Sequence, residues 1–295
     1  MRVVTLLPGA TEIVAALGGR ALLAGVSHEC DHPAWVRSLP RLTSTPLDPS
    51  LPSGAIDLEV RRLHEAGRAV IQVDADALAL LAPDLVITQD LCEVCAVADG
   101  AVHRLADVMP RPPRILSLTG RTVGGVLEDV RRVGRALDLA ADGDQLAAGL
   151  RSRLDRLSHR PATIRRRILC IEWLEPVYLA GHWVPELVEA AGGTDVGARP
   201  GAHSARTTWE EAAALRPDLI VIMLCGFGVE RSREELDLVT IAPALDLLGS
   251  APVWLLDGNA YTSRPGPRIV DGAERLQAAM AGVERPGLAR WSPRR

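Results

Sequence analysis

The sequence predicts an α/β protein of two similar lobes, each carrying a mostly parallel sheet, with one long helix bridging them. Three observations predict it. Apolar runs of strand length alternate with helical patterns along the chain. Two stretches echo each other, "LAPDLVITQDLC" at 81–92 and "LRPDLIVIMLCG" at 215–226, each with a helix end, Pro-Asp, a buried strand and a cysteine just beyond it. Between the halves, Leu146, Leu150, Leu154 and Leu157 recur at helical spacing.

In chain order, "RVVTLL" is the first strand, and "TEIVAALGG" is a helix that ends on glycine, as helix C-termini commonly do. "ALLAGVS", "DLVITQ" and "RILSLT" are the next strands, completing an N-terminal lobe over 1–120. A helical segment over 121–160 contains the bridging helix, with a candidate cap at Asp142 and a stop at Pro161. "RRILCIEW", "DLIVIML" and "PVWLLDG" are the strands of a C-terminal lobe over 161–282, in which "LAGHWVPELVEAAGG" loosely repeats "LPGATEIVAALGG" of the first. The tail over 283–295, rich in proline and arginine, is expected to fray.

At 295 residues with 47% hydrophobic content, the chain fills one large domain or two lobes around a real core. A formal charge of −4 without a basic block removes the electrostatic footprint of a nucleic-acid binder. All 33 basic residues are arginine, which excludes Schiff-base lysines and the lysine of a phosphate-binding P-loop. No run reaches the roughly 20 apolar residues that span a bilayer. Pro8 and Glu12 interrupt the apolar N-terminus, so it reads as a strand rather than a leader, and the chain is expected to be cytoplasmic. Five cysteines, an odd number, favour free thiols or metal ligands over a disulfide framework.

Ligands of open α/β sheets bind beyond the carboxyl ends of the strands, where loops and helix N-termini present backbone donors. The loops in question carry Pro8, Thr11 and Glu12; His28, Glu29 and Cys30; Cys92 and Cys95; Trp173 and Trp183; Cys225; and Tyr261 and Arg264. If the lobes face each other, Cys30, Cys92, Cys95 and Cys225 line one cleft, whereas Cys170 lies within a strand as core. Cys92 and Cys95 form a C-x-x-C pair, but after a later strand than a thioredoxin-type motif requires. Tryptophans on loops suit a large planar ligand. "HECDH" at 28–32 matches H-E-x-x-H, yet Pro33 drives His32 out of helical geometry and no third ligand follows, so a zinc protease is rejected. Neither a G-x-S-x-G elbow nor a complete dinucleotide fingerprint is present, and binding is favoured over catalysis.

The motifs "SHECDHP", "TQDLCEVCAV", "EWLEPVYLAGHWVPELVEAAGG" and "DGNAYTSRPGPR", in this order over residues 2–280, resemble the cobalamin-binding-type members of the class III substrate-binding proteins of ABC transporters, in their leaderless branch. The resemblance implies two Rossmann-like lobes joined by a rigid helix, a ligand held in the cleft between them, and delivery of that ligand to an ABC permease.

Two functions are therefore expected. In the first, the protein holds a cobalamin-like corrinoid or related tetrapyrrole, with Trp173, Trp183 and Tyr261 packing the ring and Pro8, Thr11, Glu12, His28, Glu29 and Arg264 fixing its edges. In the second, Cys30, Cys92, Cys95 and Cys225 ligate an iron–sulfur cluster or zinc.

Overall fold

The computed structural model describes residues 1–91, 97, 99–159, 165–238, 245–247 and 249–292. Two compact units divide the chain: the first comprises Met1–Leu51, Leu58–Gly120 and Gly124–Gly149, the second Pro52–Asp57, Arg121–Val123 and Leu150–Arg295.

The first unit is built on four strands, β1 (Val3–Thr5), β2 (Leu23–Val26), β5 (Leu85–Gln89) and β6 (Arg114–Leu118), in the order β2-β1-β5-β6. All three pairings are parallel. Parallel strands need crossovers, and helices supply them: α1 (Pro8–Ala16), α3 (Ala75–Leu81) and α4 (Asp99–Asp107). Strand β5 is buried along its whole length, as a sheet covered on both faces requires. Val4, Leu42, Leu78, Val86 and Val102 form one cluster of the core. A two-stranded antiparallel ribbon, β3 (Thr43–Ser44) with β4 (Gln72–Val73), lies apart from the main sheet.

The second unit carries the sheet β10-β8-β7-β11-β12-β13, with β9 (Thr194–Asp195) pairing β7. Its centre is parallel: β7 (Arg167–Leu174), β11 (Leu219–Ile222) and β12 (Val253–Leu256). The flanks are antiparallel, with β8 (Val177–Leu179) and β10 (Ala205–Thr207) on one side and β13 (Leu288–Arg290) on the other. The tail thus departs from its expected fraying: β13 pairs with β12, and Leu288 is 1% exposed, because this apolar side chain covers the sheet edge. Between and after these strands the chain forms α7 (Val184–Ala190), α8 (Trp209–Ala214), α9 (Val229–Leu236), α10 (Gly258–Tyr261) and α11 (Ile269–Met280). Thr208 caps α8 in a capping box with Glu211, as "TTWEE" suggests.

The sequence echo has a backbone counterpart. In the first unit Asp84 Oδ2 accepts from the Arg2 amide at 2.6 Å while the Asp84 amide donates to the Arg2 carbonyl at 2.8 Å. In the second, Asp218 Oδ2 accepts from the Arg167 amide at 2.8 Å and its amide returns a bond to the Arg167 carbonyl at 2.8 Å. Each Pro-Asp thereby ties the amino ends of two adjacent parallel strands, and in each case the residue before the proline, Ala82 or Arg216, is left-handed (φ 42° and 46°) to end the preceding helix.

Helix α6 (Ala140–Ser158) supplies the predicted long helix, and the division between the units falls within it, at Gly149/Leu150. It begins two residues before Asp142, which sits in the first turn rather than at the cap, favourably placed for the helix dipole. Pro161 lies outside the described residues. Among the described residues, no helix is long and apolar enough to cross a membrane.

Candidate ligand-binding loops

The candidate residues of the first unit cluster at the carboxyl ends of β1 and β2. Pro8 occupies the first turn of α1, where a missing amide proton costs nothing, and Thr11 and Glu12 follow on the same helix; all three are buried. Thr11 Oγ1 lies 2.6 Å from Thr5 Oγ1, 3.3 Å from the Leu7 carbonyl and 3.0 Å from Cys30 Sγ. Cys30 is 1% exposed and held in this hydroxyl network. Its turn is fixed from behind by Arg41, whose Nη1 donates to the carbonyls of Ser27 at 2.9 Å and Cys30 at 2.5 Å.

His28 and Glu29 are on the outer side of that turn, which is not helical, in agreement with the rejection of a zinc-protease motif. The His28 amide donates to Thr43 Oγ1 at 2.9 Å and its Nδ1 lies 2.6 Å from the same oxygen. Burial, and secondly the charge of Arg41, hold the imidazole below its ordinary pKa, so the ring is neutral at pH 7. Glu29 is exposed, and its amide reaches Ser27 Oγ at 3.4 Å. Cys92 and Cys95 lie outside the described residues.

In the second unit, Trp173 ends β7 and Phe227 sits in the loop after β11, with ring centroids 5.5 Å apart and planes tilted by 49°. Arg231, from the first turn of α9, stacks its guanidinium 4.7 Å from the Phe227 ring. Trp173 is half-buried and so offers a face, whereas Trp183 is only 6% exposed and its indole N–H donates to the Thr262 carbonyl at 2.9 Å. Tyr261 is embedded between Arg275, 3.7 Å from its ring, and Arg268 at 5.8 Å, and its hydroxyl accepts from Arg275 Nη2 at 2.8 Å. Arg264, 5% exposed, donates to Asn259 Oδ1 at 2.7 Å. Cys225 is partly exposed and accepts weakly from Ser263 Oγ at 3.5 Å. Cys170, by contrast, is core within β7, and burial pushes its thiol well above the usual range. Among the described residues no group of three or more histidine, cysteine or carboxylate side chains is placed to hold a metal ion.

His182 is not among the sequence candidates, yet its backbone is unusual for the residue. Its φ is 55°, a left-handed conformation unusual for histidine, and its ring meets His203 edge-on with centroids 5.4 Å apart. Only glycine fits before it: a Cβ at Gly181 would lie 2.6 Å from the Ala202 carbonyl oxygen and the Ser204 amide. His203 in turn reaches Arg121 Nη1 at 3.2 Å. Sequence reasoning also missed Thr43 and Arg41, which act through contacts distant in the chain, and Phe227. The last carried a signal, since it is the only phenylalanine in the sequence and stands between two glycines.

Residues 3–239 match the model of a family described as periplasmic binding protein. Among solved structures, a periplasmic haem-binding protein from Pseudomonas aeruginosa is 19% identical with a TM-score of 0.73, over 100% of this chain and 99% of that one. The periplasmic haem-binding protein RhuT from Roseiflexus sp. RS-1 is 19% identical with a TM-score of 0.69, over 95% and 98% of the two chains. The periplasmic vitamin B12 binding protein BtuF of Vibrio cholerae is 19% identical with a TM-score of 0.67, over 95% and 96%. No curated protein matches the chain.

Proposed function

The chain belongs to the periplasmic binding protein family, and we propose that it binds a metallated tetrapyrrole, of the corrinoid or haem type, on the loops beyond the carboxyl ends of its parallel strands, for delivery to an ABC permease. The observation that carries this reading is the half-buried Trp173, whose ring is braced by the buried Phe227. In a chain that is only 3% aromatic, two large rings stand together at the carboxyl ends of adjacent parallel strands, with a guanidinium stacked on one of them. The exposed face of Trp173 gives a flat macrocycle contact area at little entropic cost, while Arg231, ion-paired with Glu235 at 2.6 Å, holds Phe227 in place behind it. The structural likeness to haem and vitamin B12 binders supports the same class of ligand.

Purified protein titrated with hydroxocobalamin and with haemin, followed by absorbance and calorimetry, tests the proposal. One of the two should bind and stay with the protein through a desalting column, and Trp173→Ala should weaken that binding by roughly tenfold, as loss of one base-sized stacking contact does. Retention of neither pigment refutes it.

A further inference from the structure

We infer that Glu235 is a positioning residue that couples the ring surface to the first turn of helix α2 (Ser53–Glu65), so that ligand on Trp173 and a seated α2 terminus stabilise each other; the inference rests on the function proposed above. It starts from a distant partner. The Ser53 amide, at the first position of α2, donates to Glu235 Oε2 at 2.9 Å across 182 positions of sequence. Pro52–Asp57 belongs with Glu235 to the second unit, so the bond lies inside that unit.

Glu235 is 0% exposed, and its other oxygen, Oε1, is 2.6 Å from Arg231 Nη2. Arg231 in turn stacks on Phe227, which braces Trp173. One buried carboxylate thereby joins two lines of contact: the first runs through the guanidinium and the phenyl ring to the exposed indole, and the second enters the α2 backbone directly. A second carboxylate repeats the arrangement. Glu175, two residues after Trp173, lies against Gly54, where a Cβ would be 2.8 Å from Glu175 Oε2. Each of the two ring-bearing segments therefore sends a carboxylate to the positive end of α2, where an anion is favoured.

Charge holds this seat more than complete hydrogen bonding does. Ser53 Oγ, and Ser232 Oγ one helical turn before Glu235, are buried without a hydrogen bond among the described residues. Stranded hydroxyls lower the stability of a contact, and segments of low local stability are the ones a ligand can order. A macrocycle pressed on Trp173 restricts Phe227 behind it, and through it Arg231, Glu235 and the α2 terminus. By reciprocity, a terminus that is let go weakens ligand binding by the same factor.

The test applies amide hydrogen exchange and calorimetry to wild-type protein, Ser53→Pro, Glu235→Gln and the double variant, with hydroxocobalamin and haemin as probes. Ser53→Pro removes the amide donor at a position that accommodates proline, whereas Glu235→Gln keeps an acceptor for that amide and removes the charge that holds Arg231. In wild-type protein the retained pigment should slow exchange of the Ala55 and Ile56 amides, which donate to the Pro52 carbonyl at 2.9 and 3.0 Å, by roughly fivefold or more. Each single variant should weaken the pigment by roughly fivefold or more, and the double variant by no more than about twofold beyond the weaker-binding single, as residues acting along one line of contact do. Separate structural roles would make the two losses additive. A pigment that binds without slowing exchange at Ala55 and Ile56, or losses that add in full or do not appear, overturns the inference while the proposed function stands. Retention of neither pigment by wild-type protein overturns both.

Discussion

Asp195 should make the protein less stable as pH rises from 4 to 7, and replacing it with asparagine should remove that loss. The carboxyl sits on β9 beside β7, with Oδ1 accepting from the Gly197 and Ala198 amides at 2.8 and 3.0 Å. Oδ2 is buried without a hydrogen bond of ordinary geometry, although the Cys170 thiol lies near enough to favour the ionised form. Burial dominates, with Glu189 adding a smaller repulsion, and lifts the pKa from 3.8 to about 6. Because the folded state holds its proton to higher pH than the unfolded state, the unfolded chain ionises first. Stability therefore falls as pH climbs from 3.8 towards 6 and is level above that window. At about 1.4 kcal/mol per pH unit the loss amounts to roughly 3 kcal/mol. An asparagine side chain in its place would preserve the Oδ1 acceptor and carry no charge. In urea unfolding at a series of pH values, Asp195→Asn should match wild type near pH 4 and exceed it by roughly 3 kcal/mol at pH 7.5. A difference between the two proteins that stays constant across this range refutes the argument, since it would mean that Asp195 titrates alike in the folded and unfolded chains.

Two substitutions examine other elements. Gly181→Ala should destabilise by about 1–3 kcal/mol, because its Cβ meets rigid backbone 2.6 Å away, whereas Gly149→Ala in α6, with nothing within 4 Å, should stabilise by up to about 1 kcal/mol; thermal melts of both variants check the contrast. Leu288→Ala should cost about 2–5 kcal/mol in chemical denaturation if β13 is a true edge of the sheet, and nothing measurable if the tail frays.

The central parallel strands were readable because each is a continuous apolar run between punctuating residues: all seven expected strands, from "RVVTLL" to "PVWLLDG", are present. The strands that were not readable, β3, β4, β8, β9, β10 and β13, are two or three residues long and depend on a partner rather than on their own pattern. The candidate loops were readable from topology, since residues after parallel strands gather at one sheet end. Individual roles were not. Nothing in the sequence separates Trp173, which keeps an exposed face, from Trp183, whose indole is spent on a buried carbonyl. His28 could be named as a candidate, but not its partner Thr43, fifteen positions along the chain.

The paired Pro-Asp ties fasten one margin of each sheet by an aspartate carboxylate that accepts from the neighbouring strand's amide, which leaves little latitude for change. At the opposite margin the strand ends are joined by backbone groups alone, as in the Cys225 amide to the Glu172 carbonyl at 3.1 Å, so side chains there can vary in chemistry while the strands keep their alignment. A common chassis, locked by aspartate at one rim and held by backbone alone at the other, explains how two halves of a single chain can share a framework yet present a hydroxyl-supported imidazole in one case and a tilted pair of rings in the other. It also makes that rim the place to exchange side chains when a different ligand is to be bound.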